Sequence, residues 1–145
     1  MEIQNIARGI CIQDGKILLA YSKQDHFYFF PGGHVEFGEG ARETLAREFF
    51  EEIGVAAKAT RFVSVLENSY GEGEKKQHEF CLLFEVEVEK GVECVSKEAH
   101  LEFHWVAFAD LATIKLLPKY LVPFIVDFCA GKSIPTFLST VEKTL

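Results

Sequence analysis

Three glutamates, Glu48, Glu51 and Glu52, have the spacing in this chain that most clearly favours chemistry. Glu51 and Glu52 follow Glu48 by three and four positions, which places all three on one face of a helix. Like charges on adjacent turns repel one another, and a bound cation would reverse the sign of that interaction. Clustered carboxylates supply the hard oxygen ligands that Mg²⁺ and Mn²⁺ prefer. For three glutamates alone, the alternative interpretation is a solvated acidic helix face.

The helix that must position these carboxylates is predicted over residues 41–53. A proline and two glycines at 31–33 form a turn before it, and Gly54 is suited to its C-terminus. The arc opposite the glutamates carries apolar residues, so one face is expected to pack on a core. These residues are Leu45, Ala46, Phe49, Phe50 and Ile53.

The spacing around the helix is more specific than its composition. The segment reads Gly33, five residues, Glu39, seven residues, and then R-E-F-F-E-E-I-G-V over 47–55. This order resembles the Nudix box, G-x5-E-x7-R-E-U-x-E-E-x-G-U, where U is a bulky apolar residue. Every specified position is filled, although Phe49 is larger than the usual aliphatic residue at the first U. The chain therefore resembles the Nudix hydrolases.

The resemblance implies a role for each matched position. Arg47 and Glu39 would form the supporting pair that orients the metal ligands. Gly33 and Gly54 would mark the ends of the loop-helix-loop unit. The ligands for one or more Mg²⁺ or Mn²⁺ ions would be three side chains and one backbone carbonyl, those of Glu48, Glu51, Glu52 and Gly32.

The resemblance also implies a reaction. Nudix enzymes hydrolyse a nucleoside diphosphate linked to another group, X, usually through attack of water on a phosphorus of the pyrophosphate. The general base would be Glu52 or Glu51 within the box, or Glu98 on a later loop. Glu98 could instead be an additional ligand, or a solvated carboxylate beside Lys97. A binding-only module of the same fold is the second hypothesis, and such a module would be expected to lack box glutamates.

Strand-like runs flank the box on both sides and predict the fold class. Residues 3–12 and 16–22 are apolar, and Asp14-Gly15 between them favours a hairpin. Residues 58–68 and 78–89 read as two further strands. Strands around one central helix predict an α+β protein, and the resemblance implies a Nudix-type α/β/α sandwich with a mixed sheet and a central catalytic helix. We expect a single domain over residues 1–145.

The remainder of the chain gives weaker signals. Residues 103–108 predict a short strand, and residues 110–114 and 118–129 predict helices. The second helix carries an aromatic stripe that favours a core face or a homodimer surface, formed by Tyr120, Phe124 and Phe128. The segment from Ser133 onward has no assigned role.

Candidates for substrate binding lie on both sides of the box. Four aromatic residues at 27–30 favour a buried strand, with Phe29 as a ring that could instead stack on a base. The segment FPGGHVEFGE, in which His34 follows the two glycines, resembles the branch of the family that cleaves nucleoside triphosphates. Tyr70 is on a polar loop over 69–77. Its position is within a residue or two of the one at which diadenosine polyphosphate enzymes tend to carry a tyrosine. We expect a nucleoside triphosphate or dinucleoside polyphosphate as substrate, with ADP-ribose or a nucleotide sugar as the alternative.

Composition sets broader limits. A net charge of −7 argues against general nucleic-acid binding, whereas a polyphosphate substrate remains compatible because the metal supplies local positive charge. No apolar run is long enough for a membrane span, and the N-terminal residues do not resemble a secretory signal. The four cysteines are scattered, which favours free thiols in a reducing, cytoplasmic setting.

Overall fold

The computed structural model describes residues 2–142. Within this range the chain forms ten strands and two α-helices. The helices are α1 (Ala41–Ile53) and α2 (Val122–Cys129). The strands are β1 (Ile3–Ile10), β2 (Ile12–Gln13), β3 (Lys16–Ser22), β4 (Phe27–Phe29), β5 (Gly32–His34), β6 (Ala57–Tyr70), β7 (Gln77–Val88), β8 (Leu101–Ala107), β9 (Leu116–Leu117) and β10 (Phe137–Ser139).

The strands form two sheets. Sheet A has the order β10-β6-β7-β1-β5, with β1 parallel to β7 and antiparallel to β5. Sheet B has the order β2-β3-β4-β9, and β8 pairs along the length of β3. The predicted hairpin at Asp14-Gly15 joins β2 to β3, and both residues have positive φ, 50° and 74°, as a two-residue type I′ turn requires.

Sheet A packs against other elements on both faces. Successive side chains of its central strand, β7, therefore point alternately into two cores. Phe84 and Val86 pack with Leu45 and Phe49 of α1 in what we call the helix-side core. Cys81 and its neighbours on the opposite face pack against the segment that follows β8, in what we call the C-terminal-side core. The predicted α+β sandwich with a mixed sheet is thus confirmed.

The structure has α1 at the predicted residues, but its apolar face is narrower than expected. Leu45, Phe49 and Ile53 are buried, whereas Ala46 and Phe50 are exposed, Phe50 by 59%. The prediction that these last two residues face the core is wrong. A stripe at positions i, i+4 and i+8 already fills the space against sheet A.

The C-terminal third differs most from expectation. The helix predicted at 110–114 is only a 3₁₀ turn at Phe108–Asp110, and the helix predicted at 118–129 is a 3₁₀ turn followed by α2. The segment after Ser133 adds β10 to the edge of sheet A, parallel to β6. In addition, Tyr70 belongs to the end of β6 and not to a loop.

All four cysteines are free thiols, as expected. Cys11 and Cys81 are buried, and burial raises the pKa of each thiol to about 12. Both thiols therefore stay protonated and unreactive near neutral pH. None of the helices within residues 2–142 has the length and apolar character needed to cross a bilayer.

The two adjacent phenylalanines of α1 provide a test of the packing. Phe49→Ala should lower the free energy of unfolding by about 3–5 kcal/mol, because it leaves a cavity in the helix-side core. Phe50→Ala should lower it by no more than about 1 kcal/mol, because the ring is largely solvated. Urea unfolding of both variants measures the difference. Equal losses would contradict the assigned burial of this helix.

Candidate active site

Two consecutive glycines bring the loop before α1 close to the carboxylates. Gly32 has φ +144°, and a Cβ at this residue would lie 2.0 Å from the Ala7 carbonyl oxygen of β1. A Cβ at Gly33 would lie 2.5 Å from the carboxyl group of Glu48. Only glycine fits at position 32, because of its backbone angle and the Ala7 carbonyl. At position 33, a side chain would displace the Glu48 carboxyl group, so glycine lets this carboxyl group approach the loop backbone.

Arg47 joins the predicted supporting and ligand residues into one network. Its Nε and Nη2 donate to the two carboxylate oxygens of Glu39 at 2.7 and 3.0 Å. Its Nη1 donates to Glu48 Oε1 at 3.0 Å and to Glu51 Oε2 at 3.2 Å. Nη2 also donates to the backbone carbonyl of His34 at 3.1 Å. His34 therefore contributes its carbonyl to the network, while its own side chain is exposed.

Glu39 is fixed on its other side by the buried Thr44. The Thr44 hydroxyl donates to Glu39 Oε1 at 2.6 Å. Hydrogen bonds from Arg47, and then from Thr44, lower the pKa of Glu39 to about 2. The carboxylate is consequently ionised throughout the physiological range, as a permanent partner of an arginine must be.

Glu52 has a different environment from the other box glutamates. Its side chain is 9% exposed, and its Oε2 is a buried oxygen without a hydrogen-bond partner among the described residues. Burial, reinforced by the charge of Glu48, raises the pKa of Glu52 to about 8. A buried carboxyl oxygen without a protein partner is costly, and ligation of a cation is one arrangement that compensates for it.

The donor set fits a hard divalent cation. Glu48, Glu51 and Glu52 supply carboxylate oxygens on one helix face, and the Gly32 carbonyl belongs to the loop that packs against Glu48. Within residues 2–142, no three His, Cys, Asp or Glu side chains converge closely enough to hold an ion as they stand. Glu48 and Glu51 are directed to Arg47, so binding would require their carboxylates to turn.

A loop contact brings Glu98 to the end of α1. The Lys97 N–H donates to the Glu52 carbonyl at 2.7 Å, and the Lys97 ammonium lies 5.0 Å from the centre of the Phe50 ring. Gly54, at φ 66°, leaves room for the lysine, since a Cβ there would lie 2.8 Å from Lys97 Cε. The Glu98 carboxylate is then near enough to contribute to the raised pKa of Glu52.

Arg8 is a site residue that the sequence analysis missed. It lies on β1 opposite Gly32, donates from Nη1 to the Phe30 carbonyl at 3.1 Å, and lies 5.6 Å from the centre of the Phe29 ring. Its positive charge opposes the rise in the pKa of both Glu52 and Tyr70. A signal was available, because Arg8 is the only charged residue in the apolar run over 3–12.

The predicted site residues therefore fall into two groups. The box residues and Glu98 lie together around the C-terminal half of α1. Phe29 and Tyr70 lie on the side of Arg8, where Phe29 is half-buried and Tyr70 is 50% exposed. Arg8 lies next to members of both groups, since it pairs with Gly32 of the box loop and its guanidinium lies 5.6 Å from the centre of the Phe29 ring.

Fold and site together define a protein with a carboxylate cluster on a central helix of an α/β/α sandwich. The profile of the NUDIX domain matches residues 4–128, and the chain belongs to the Nudix family. Among curated proteins, it is similar to the RNA pyrophosphohydrolase of Sodalis glossinidius, with 36% identity over 64 residues. That match covers 44% of this chain and 37% of the relative, so the chain spans little more than a third of the relative's length.

Solved structures share the fold over most of the chain. The ORF135 protein of E. coli is 24% identical, with a TM-score of 0.63 and coverage of 90% of this chain and 91% of that one. An ADP-ribose pyrophosphatase from Streptococcus suis is 19% identical, with a TM-score of 0.68 and coverage of 94% and 98%. A NUDIX hydrolase from Nitrosomonas europaea is 17% identical, with a TM-score of 0.72 and coverage of 99% and 98%.

The raised pKa of Glu52 predicts how the metal-free protein responds to pH. The folded state keeps this proton up to about pH 8, whereas an unfolded glutamate loses it near 4.5. The stability contributed by the protonated group is complete below the unfolded pKa and is lost as pH rises through 8. In Glu52→Gln this loss should disappear. Urea unfolding between pH 5 and 8.5 in a chelating buffer, with Glu43→Gln on the same helix as control, measures it. Parallel pH curves for wild type and Glu52→Gln would contradict the assignment.

Proposed function

We propose that this protein is a divalent-metal-dependent pyrophosphohydrolase that cleaves the diphosphate linkage of a nucleoside diphosphate joined to another group. The observation that carries the proposal is the buried, unpartnered Oε2 of Glu52 beside Glu48. This oxygen has no hydrogen-bond partner among the described residues, and it lies beside Glu48, whose carboxylate pairs with Arg47 and would turn toward a shared cation. The family membership and the complete box agree with it.

A bound Mg²⁺ or Mn²⁺ would lower the pKa of a water and neutralise charge on the phosphate oxygens. Glu48, Glu51, Glu52 and the Gly32 carbonyl would hold it. Arg47, held by Glu39, would keep the Glu48 and Glu51 carboxylates oriented when one of them turns from Arg47 to the metal. The contacts of each residue and its place in the box support these roles.

The chain's own residues would carry the proton and position the phosphates. Glu98, held beside Glu52 by the Lys97 contact, would accept the proton of the attacking water, with Glu51 or Glu52 as the alternative base. Arg8 lies between the box and the aromatic residues, where its guanidinium would bind a phosphate of the substrate. Phe29 and Tyr70 would contact the base.

For the substrate, a nucleoside triphosphate or dinucleoside polyphosphate is our first choice and ADP-ribose or a nucleotide sugar is the second. Relatives named as an RNA pyrophosphohydrolase and an ADP-ribose pyrophosphatase both support a pyrophosphate bond as the target. The intact box disfavours a non-catalytic binding module. We further propose a single cytoplasmic domain that acts on small nucleotides and not on nucleic acid, in keeping with its free thiols and net charge of −7. A homodimer through the exposed Tyr120 stays an alternative to a monomer.

Replacing one ligand tests the proposed reaction. With Mg²⁺ or Mn²⁺ present, wild type should release phosphate or pyrophosphate from at least one member of a panel of nucleoside triphosphates, diadenosine polyphosphates, ADP-ribose and RNA with a 5′-triphosphate. Glu52→Gln should lower kcat by at least about 10²-fold, because it removes charge that stabilises the transition state. Glu43→Gln, an exposed change on the same helix, is the matched control. Near-full activity of Glu52→Gln would contradict the proposed ligand set.

Two substitutions at Tyr70 separate stacking from hydrogen bonding. Tyr70→Ala should raise KM for the best substrate by about tenfold or more, because a base stacked on an aromatic ring gains about 1–3 kcal/mol. Tyr70→Phe keeps the ring and should leave KM nearly unchanged, and neither variant should alter kcat much. Steady-state kinetics of both variants provides the measurement. If Tyr70→Ala keeps the wild-type KM, Tyr70 does not stack on the base and its role is structural.

A further inference from the structure

One face of sheet A changes from apolar to polar at the end where β6 and β7 meet the turn after Tyr70. In the middle of this face, the strands present residues of the C-terminal-side core, such as Leu66 and Cys81. Toward the end, paired positions on β1, β6 and β7 carry hydrogen-bonding side chains. We call this surface the polar floor, and it consists of Gln4, Asn68, Tyr70, Gln77 and Glu79.

The polar floor holds one carboxylate in place. Asn68, only 6% exposed, donates from Nδ2 to Glu79 Oε1 at 3.3 Å, and its own Oδ1 accepts from the Thr140 hydroxyl at 2.8 Å. Glu79 is half-buried, and among residues 2–142 its Oε2 receives no hydrogen bond and its carboxylate has no Lys, Arg or His nitrogen within 4.0 Å. One oxygen is thus fixed by a buried amide, and the other is available to a ligand.

The polar floor lies on the same face of sheet A as Arg8, the face opposite α1. Gln4 and Arg8 lie on the same face of β1, about 13 Å apart along the strand at 3.3 Å per residue. Arg8 in turn pairs with Gly32 of the box loop. An extended nucleotide spans such a distance between its outer phosphate and its base. Tyr70 pairs with Gln77 at the outer end of the polar floor. Burial and then the charge of Glu79 raise the pKa of its hydroxyl, and the charge of Arg8 opposes that rise.

We propose that Glu79 recognises the base of the substrate by accepting a hydrogen bond from an exocyclic amine, as cytosine, adenine and guanine carry. This inference rests on the proposed function, in that the ligand is a nucleotide. An ionised carboxylate only accepts hydrogen bonds, so it pairs with an amine and not with a carbonyl at the same position. Uracil and hypoxanthine place a carbonyl where cytosine and adenine have the amine, which leaves a half-buried carboxylate facing an acceptor.

Matched pairs of nucleotides test the proposal. We would measure kcat/KM for CTP against UTP and for ATP against ITP with wild type, Glu79→Gln and Glu87→Gln. Wild type should favour the amine-bearing member of at least one pair by about tenfold or more, as loss of one hydrogen bond to a charged group predicts. Glu79→Gln should reduce that preference by about tenfold, because its amide can donate to a carbonyl. Glu87→Gln, exposed on the same strand, should leave it unchanged.

Other outcomes overturn the proposal. It fails if wild type shows no preference within either pair, if the preference survives in Glu79→Gln, or if that variant loses activity equally on both members. Glu79→Asp keeps the acceptor and should retain the direction of the preference, which covers the case in which Glu79→Gln does not fold. Calorimetric titration of the same pairs onto metal-free protein separates the two proposals. An amine preference in binding that is lost in Glu79→Gln, without hydrolysis of any nucleotide, would support base recognition and refute the proposed reaction.

Discussion

The guanidinium of Arg47 is the interaction on which the geometry of this site depends. An arginine has five N–H donors, and Arg47 makes five hydrogen bonds, to Glu39 twice, to Glu48, to Glu51 and to the His34 carbonyl. The group therefore ties the loop before α1 to two successive turns of the helix. A lysine has three donors on one atom and could not satisfy the same arrangement. Without this cation, four carboxylates of the box would repel one another with no fixed orientation.

Hydrogen-bond donors distinguish Glu39 from Glu52. Glu39 has its pKa lowered to about 2 by donors that surround it, whereas Glu52 has its pKa raised to about 8 by burial and by Glu48. The same residue type is thus ionised at one position and protonated at neutral pH at another, according to its neighbours. The site combines a hydrogen-bonded anionic support with one carboxyl group that ionises near pH 8.

Local signals in the sequence predicted more than long-range ones. The bounds of α1, its left-handed end at Gly54 and the Asp14-Gly15 hairpin depend on neighbouring residues, and all three were predicted. Arg8 could not be placed at the site without knowing that β1 pairs with β5. β10 is three residues long and exists through its pairing with β6, so its own sequence carries little strand signal.

The exposed Phe50 shows why a helical wheel misassigned part of α1. The wheel assumes one continuous core, whereas in the structure a loop from 89–100 returns to the helix and places Lys97 over this ring. For the same reason, Glu79 has no signal of its own. It is one of several glutamates on a strand of alternating polarity. What sets it apart is the hydrogen bond that its carboxylate accepts from Asn68 on the neighbouring strand.

The contact of Lys97 with the end of α1 also bears on how this loop can change during evolution. A backbone N–H makes the hydrogen bond to the Glu52 carbonyl, one of the acceptors that a helix leaves unpaired at its C-terminus. The helix backbone therefore fixes one end of the loop, and Val92 and Cys94 fix its middle because they pack against the helix-side core. Exposed residues between them, such as Glu93 and Val95, can be exchanged without moving Glu98, whereas the two packed positions must keep their size and apolar character.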